Sequence, residues 1–177
     1  MLGSDVRPTV PRRLRRRMGP AIDRVAQRVG QPEYRVWPKG YVATVPVPIE
    51  ELEEKLHDEG FSWDPLSLYH YTLVGNESDG SWAYRPSWLA DRQLHVVLFE
   101  RSRDRTDIYA HTEYSWLSHP LKHADQEGIR RSDGVEVMRR VLESWGVDST
   151  RESLVTRTLR HAVVRLRDEV RLRRGSS

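Results

Sequence analysis

Two segments in which apolar and polar residues alternate, Leu94–Glu100 and Thr106–Trp116, constrain the fold of this chain more than any other feature. Alternation with a period of two is typical of a β-strand that has one face against an apolar core. The polar stretch Arg101–Arg105 between them predicts a turn, so the two segments form an antiparallel hairpin. Because an isolated hairpin is only marginally stable, the chain must add further strands and a covering layer.

The rest of the sequence completes an α+β fold: a mostly antiparallel sheet of about five strands with helices packed on one face. Segments rich in Val, Thr and aromatic residues predict strands, and apolar stripes at a spacing of three to four predict helices. A histidine-rich loop, Ser118–His123, follows the hairpin. The other predicted strands are Tyr41–Val47, Leu66–Val74 and Ser81–Arg85, and the predicted helices are Pro20–Val29, Pro48–Gly60, Ser132–Trp145 and a last one from Ser149 or Thr150 to about Arg173.

Charge divides the chain into three parts. Residues 1–28 contain eight Arg and two acidic residues, and residues 151–177 contain eight Arg and three acidic residues. The segment between them has thirteen basic and twenty-one acidic residues. We therefore expect a basic, partly disordered arm with a short helix (1–30), an acidic α+β body (31–147) and a basic amphipathic helix (148–177).

The composition excludes several classes of protein. Cysteine is absent, so disulfides, thiolate metal sites and cysteine nucleophiles are excluded. No apolar run reaches the length of a membrane span, and no apolar stretch follows the N-terminal arginines. We therefore expect no membrane segment and no secretory signal, and we predict a protein of the reducing cytoplasm.

Alternation separates the hairpin residues into two faces. If Phe99 pairs with Asp107, then His95 lies opposite His111, with Glu113 one step further along the same face. The core face comprises Leu94, Val96, Leu98, Ile108, Ala110 and Thr112, and the polar face comprises His95, Val97, Phe99, Tyr109, His111 and Glu113.

This polar face, expected to be open, carries two imidazoles and a carboxylate that can bind a metal ion or act as an acid–base pair. The sequence has no HExxH or other metal motif, so we expect no cofactor, and packed structural histidines are the alternative to a functional site. The candidate catalytic residues are His95, His111 and Glu113, with His70, His119 and His123 in support.

Arginines at both ends predict contacts with a polyanion. In the last helix they recur at three- to four-residue spacing opposite an apolar stripe, Val155 to Val170, as in a helix that follows a phosphate backbone. Nothing in the pattern indicates base readout, so binding to DNA or RNA would be non-specific. The predicted nucleic-acid-binding residues are Arg12, Arg13, Arg15, Arg16, Arg17, Arg157, Arg160, Arg167, Arg171 and Arg174.

Two alternatives for the basic ends stay open. The arginines can instead neutralise the acidic body, within one chain or between chains. The apolar stripe of the last helix is expected to dock on the body, on the first helix or on another copy of the chain, and the last case gives a homo-oligomer.

Several stretches of the acidic body resemble small uncharacterised proteins of haloarchaea and of their viruses or plasmids. The resemblance brings no assigned activity, and it agrees with the acidic body and with the preference for Arg over Lys. The stretches that carry it are Gly80–Pro86, Gln93–Val96, Tyr109–Trp116 and His119–His123.

Three hypotheses about function follow. The first is a nucleic-acid-associated accessory protein that binds without sequence specificity through its Arg-rich ends. The second is a small histidine-dependent hydrolase or metal-dependent enzyme that uses the polar face of the hairpin. The third is a structural or protein-interaction module in which the histidines are packed.

Overall fold

The computed structural model describes residues 34–63 and 70–175, together with five helical positions at residues 18, 21, 24, 25 and 28. Four of these positions, 21, 24, 25 and 28, fall within the predicted helix Pro20–Val29 and are helical, whereas the rest of that segment and residues 1–17 lie outside the described residues. The strands from residue 34 onward are β1 (Tyr34–Arg35), β2 (Tyr41–Val45), β3 (Ser62–Trp63), β4 (His70–Tyr71), β5 (Gly80–Tyr84), β6 (Arg92–Ser102) and β7 (Arg105–Tyr114), and the helices are α1 (Ile49–Asp58), α2 (Pro120–Ala124), α3 (Arg131–Ser144) and α4 (Leu154–Gly175).

Five of these strands form one antiparallel sheet in the order β2-β7-β6-β5-β3. Strands β1 and β4 form a separate parallel pair of two residues each. The predicted α+β fold, a five-stranded antiparallel sheet with helices packed against it, is thus confirmed.

The β6–β7 hairpin has the predicted register. Phe99 pairs with Asp107 and His95 pairs with His111, and a bulge between Glu100 and Ser102 precedes the turn. A shift of one residue would have exchanged the two faces of one strand relative to the other, so this pairing determines which side chains of β6 and β7 share a face.

Helices α1 and α3 cover the predicted core face. Each turns its apolar stripe towards the sheet, and together with the strands they form one buried cluster. That cluster includes Val42, Ala43, Val45, Ile49, Leu52, Leu56, Phe61, Trp82, Leu94, Val96, Leu98, Ile108, Ala110, Val135, Met138 and Leu142.

Gly134 allows α3 to lie directly against β7. A Cβ atom at this position would overlap the backbone of His111, so only glycine permits so close an approach of helix and strand. The contact holds α3 against the backbone of His111, one of the candidate catalytic residues.

The second face of the sheet is buried as well, which corrects the expectation of an open polar face. Val97, Phe99 and Tyr109 form a second apolar cluster with Val36 and Tyr41. The β1–β4 pair covers one end of this face and α4 covers the other, so most of its side chains are buried and His111 is half-buried.

A buried carboxylate anchors α4 to the sheet. Asp107, which is fully buried, accepts a hydrogen bond from Thr44 Oγ1 at 2.5 Å. Its Oδ2 lies 3.1 Å from Arg101 Nη2 and 2.9 Å from His161 Nε2 of α4. Arg157 of α4 donates to the hydroxyl of Tyr109 at 2.7 Å.

The orientation of α4 is therefore opposite to the prediction. Arg157 is only 5% exposed and faces the sheet, so it is not part of an outward-facing arginine row. The apolar stripe that was expected to dock is 48–68% exposed at each position, because hydrogen bonds and ion pairs hold the polar side of the helix against the body. Its residues are Val155, Leu159, Val163, Leu166 and Val170.

Three smaller predictions are also wrong. Of the predicted strand Leu66–Val74, only His70–Tyr71 is a strand among the residues described, and the chain turns directly afterwards through a Thr72–Asn76 hydrogen bond. The histidine-rich loop contains the short helix α2. Helix α4 begins at Leu154, after Ser153 Oγ accepts the Thr156 amide, rather than at Ser149 or Thr150.

Among the helices that the structure describes, none combines the length and apolar character needed to cross a lipid bilayer.

The contact at Gly134 gives a test of the fold. We expect Gly134→Ala to lower the free energy of unfolding by about 1–3 kcal/mol, because the strand backbone cannot move aside as a side chain can. The exposed neighbour Val137→Ala is the control and should change it by about 0.5 kcal/mol at most. Urea unfolding of the two variants measures this, and an unchanged midpoint for Gly134→Ala would contradict the described contact.

Candidate functional site

Glu113 lies at the centre of the candidate site. Its Oε1 is 3.2 Å from His95 Nδ1, and its Oε2 is 3.1 Å from His111 Nε2. Gln93 Nε2 donates a hydrogen bond of 2.7 Å to Oε1. The three predicted catalytic residues therefore meet, as the hairpin register requires, and their contacts are direct.

Two of the three supporting histidines lie beside this group. His123 of α2 places Nδ1 3.5 Å from Glu113 Oε1 and 3.1 Å from the carbonyl oxygen of Tyr114. The ring of His70 in β4 lies 5.1 Å from the ring of His95, centroid to centroid, in an edge-on orientation. His119 instead contacts Asp91 at 3.0 Å and is not part of the cluster.

Ser81 belongs to the site and was not predicted. Its Oγ lies 2.7 Å from His95 Nε2, and both side chains are buried. In the register of β5 with β6, Ser81 pairs with Val97, which places it on the same face as His95. Alternation along β5, with Trp82 in the core, assigns Ser81 to this face, but the sequence between β5 and β6 does not indicate that Ser81 lies beside His95.

Burial and the neighbouring imidazoles set the charge of Glu113. Burial alone would raise the pKa of this carboxyl, but the contacts with His95 and His111 outweigh it and hold the pKa well below the ordinary value of 4.5. Burial lowers the pKa of His111 below 6.5, although Glu113 acts in the opposite direction. At neutral pH the carboxyl is therefore ionised and the His111 imidazole is neutral.

A cleft of about 390 Å³ adjoins the cluster. Two of the histidines, His70 and His111, line it, whereas Ser81 and His95 lie behind them. Among the three candidate catalytic residues, His111 is therefore the one that a molecule in the cleft can contact. The remaining described lining residues are Tyr34, Arg35, Val36, Trp37, Gly40, Leu73, Val97, Tyr109, Ala110, Gln126, Ile129 and Arg131.

The donor set suits a metal ion. One ligand atom from each of His95, His111 and Glu113 can be chosen so that all three lie within 4.8 Å of one another. Two neutral imidazoles and a carboxylate are a common three-residue set for Zn²⁺ and Fe²⁺, and they leave coordination positions for water or substrate.

The order Ser81, His95, Glu113 is also the order of a nucleophile, a base and an orienting carboxylate. A nucleophilic serine must reach the substrate, and Ser81 is fully buried and does not line the cleft. Its position instead fixes the orientation of the His95 ring.

The predicted nucleic-acid-binding residues do not come together in one described surface. Arg157 is buried, and Arg160 Nη1 lies 2.6 Å from the carboxylate of Glu152. Arg167 is exposed on α4. Arg12, Arg13, Arg15, Arg16 and Arg17 lie outside the described ranges, as do the side chains of Arg171 and Arg174.

Comparison of the chain with models of known protein families, with curated proteins and with solved structures found no match. The resemblance to haloarchaeal proteins therefore stays a prediction, and any assignment of function depends on the site itself.

The two lowered pKa values predict how metal-free protein responds to acid. A group whose pKa is lowered by folding stabilises the folded state above its unfolded pKa, and this contribution is lost as the pH falls. We therefore expect the free energy of unfolding to decrease below pH 6.5 as His111 is forced to accept a proton, and again below pH 4.5 as Glu113 does.

Urea titrations from pH 8 to pH 3 in the presence of a chelator measure this dependence. Glu113→Gln should reduce the decrease in the free energy of unfolding below pH 4.5, whereas Glu143→Gln, at an exposed position, should leave that decrease unchanged. A profile for Glu113→Gln that has the wild-type shape would contradict the assigned charge state.

Proposed function

We propose that this protein is a metal-dependent enzyme that binds one divalent transition-metal ion through His95, His111 and Glu113 and hydrolyses a small substrate in the adjoining cleft. The observation that carries the proposal is the convergence of these three donor atoms within 4.8 Å beside a cleft of about 390 Å³. The expectation of no cofactor, which rested on the lack of a sequence motif, is replaced by this proposal.

The groups around the three ligands support the proposal. A metal-binding histidine usually uses its second ring nitrogen in a hydrogen bond that fixes the ring, and Ser81 Oγ is placed for this role at His95 Nε2. Gln93 orients the carboxylate of Glu113 in the same way. Such partners hold a ligand set in the geometry that binding requires.

The protonation state also suits ligation. Metal ions bind neutral imidazole and ionised carboxylate, and these are the states of His111 and Glu113 at neutral pH. In a site built only of oxygen and nitrogen donors with two imidazoles, Zn²⁺, Fe²⁺ and similar ions are favoured over Mg²⁺ and Ca²⁺.

Hydrolysis is the reaction class that this arrangement serves most directly. Three protein ligands would leave a coordination position for water, and a bound metal would supply the acidity that makes such a water a nucleophile near neutral pH. The cleft-lining His111 would hold this centre at the wall that a substrate reaches. Without a metal, the same His111–Glu113 pair would instead act as a general base.

Metal binding is tested with protein purified without a histidine tag. We expect about one equivalent of zinc by elemental analysis and equilibrium dialysis, and loss of this metal in His95→Ala, His111→Ala and Glu113→Gln. Ser81→Ala should weaken binding by about 10- to 100-fold, because it releases the His95 ring.

His119→Ala and the exposed His57→Ala are the matched controls and should bind metal as the wild type does. Protein that binds no zinc, and whose thermal unfolding is unchanged by added zinc, would contradict the metal proposal. If hydrolytic activity nevertheless persisted in chelator and was lost in His111→Ala, the general-base alternative would replace it.

The segregation of charge supports a second proposed function, non-specific binding of DNA or RNA by the arginine-rich ends. Arg157 is withdrawn from the proposed interface because it is buried against Tyr41 and Tyr109. The arginines that remain for this role include Arg160, Arg167, Arg171 and Arg174. Self-association through α4 also stays a prediction, and the exposure of its apolar stripe is consistent with it.

Salt titration of duplex and single-stranded DNA binding tests this second function. The triple variant of Arg167, Arg171 and Arg174 to Gln should lower affinity equally for all sequences and reduce the slope of log affinity against log salt by about three. The control is Arg103→Gln, an exposed arginine in the β6–β7 turn, which should change neither. A wild-type chain that does not bind at low salt would rule the function out.

A further inference from the structure

We propose that the cleft binds a small organic anion, with an apolar or aromatic body, whose charged group lies at Arg131. This inference concerns the substrate class of the site described above. The expected effect of Arg131 on hydrolysis rests on the proposed metal-dependent function, whereas binding of the anion in the cleft does not depend on it.

The charge of the cleft wall is one-sided. Among the described residues that line it, two are arginines, Arg35 and Arg131, and none is an acid. Glu113, which does not line the cleft, is engaged by Gln93 and the histidines. Asp125, which also does not line it, acts on the wall only through a small effect on the pKa of Tyr34, which burial raises first. The wall that a ligand touches is therefore cationic, and an anion is the complementary charge.

Arg131 has a guanidinium that the described residues leave without an ion pair or hydrogen bond of its own. Its neighbour Asp133 is paired with Arg130 instead, at 3.8 Å. The guanidinium carbon of Arg131 lies 5.3 Å from the centre of the Trp37 ring. Partial burial lowers the pKa of Arg131 below its ordinary value, because the side chain has lost part of its water.

A partly dehydrated cation with no carboxylate partner attracts an anion more strongly than a fully hydrated surface arginine does. A planar guanidinium also offers paired N–H donors, which match the oxygens of a carboxylate or a phosphate. The positive field of Arg131 reaches His111, since it contributes to the lowered pKa of that imidazole. An anion bound at Arg131 would therefore lie close enough to His111 for their charges to interact.

The rest of the cleft favours an apolar or aromatic body. Trp37 is 60% exposed at its mouth, and Leu73, Val97 and Tyr109 contribute apolar surface further along the wall. A volume of about 390 Å³ is in the lower part of the range of small-molecule sites. A ligand of one aromatic ring with one anionic group satisfies the charge, the surface and the size together.

Equilibrium titration of the full-length protein in the presence of a chelator tests binding apart from any metal. The probes are benzoate, phenyl phosphate, the neutral benzyl alcohol, and acetate and inorganic phosphate alone, followed by calorimetry and by tryptophan fluorescence. We expect benzoate, phenyl phosphate or both to bind, and benzyl alcohol to bind at least tenfold more weakly. The acetate and inorganic phosphate arms show which anionic group the arginine prefers.

Arg131→Gln should weaken binding of the anions about tenfold or more and leave that of benzyl alcohol unchanged. Arg140→Gln removes an exposed arginine of the same helix and should change nothing. In a hydrolytic assay with the metal-loaded protein, Arg131→Gln should raise KM more than it lowers kcat, because the Arg131 side chain binds the substrate without contacting the bond that is hydrolysed.

Equal affinity for anionic and neutral probes, or wild-type affinity in Arg131→Gln, would overturn the inference. The two proposals fail separately. Selective anion binding in a chain that takes up no zinc supports the cleft assignment and contradicts the metal site. Zinc uptake by a protein that does not select anions supports the metal site and contradicts the assignment of the cleft.

Discussion

The pairing of β6 with β7 is the constraint on which the rest of the structure depends. With Phe99 opposite Asp107, one face of the hairpin joins the apolar core under α1 and α3, and the other collects His95, His111 and Glu113. A slip of one residue would have turned one strand over relative to the other, so that His95 would no longer share a face with His111 and Glu113. The bulge beside the turn and the length of the pairing hold this register along both strands.

The second face contains two buried carboxylates of β7 whose surroundings differ in kind. Asp107 is paired with Arg101, which does not lose its proton in proteins, and with His161, and these contacts dock α4. Glu113 is surrounded by imidazoles and an amide. Burial lowers the pKa of His111, so its neutral ring offers a lone pair that can bind a metal ion or accept a proton. The first carboxylate therefore anchors α4, and the second lies among groups that can serve as metal ligands.

Sequence reasoning was sufficient for what depends on the parity of neighbouring strands. The fold class, the pairing of His95 with His111 and the position of Glu113 follow from alternation across a short turn. Ser81 was missed because a longer connection separates β5 from β6, so the register of that pair could not be read from the turn. The cover of the polar face was missed because β1 and β4 pair over a long sequence separation.

The apolar stripe of α4 predicts the wrong side of this helix as the one that contacts the body. A stripe predicts docking when the surface it meets is apolar, but here the sheet offers the buried acceptors Asp107 and Tyr109. Leaving those groups without partners would cost more than exposing a narrow row of Val and Leu, so the polar side of the helix faces inward. Composition gives no measure of this competition, because it depends on groups about 50 residues away in the chain.

The order in which these elements are synthesised has a consequence for the nascent chain. The β6–β7 hairpin leaves the ribosome before α4 is made, so Phe99 and Tyr109 emerge without the helix that will cover them. Until α4 docks, Asp107 also lacks its contact with His161. Until α4 has left the ribosome and docked, the growing chain thus presents an aromatic surface to solvent, and the second layer of the sheet is the last part of this fold to close.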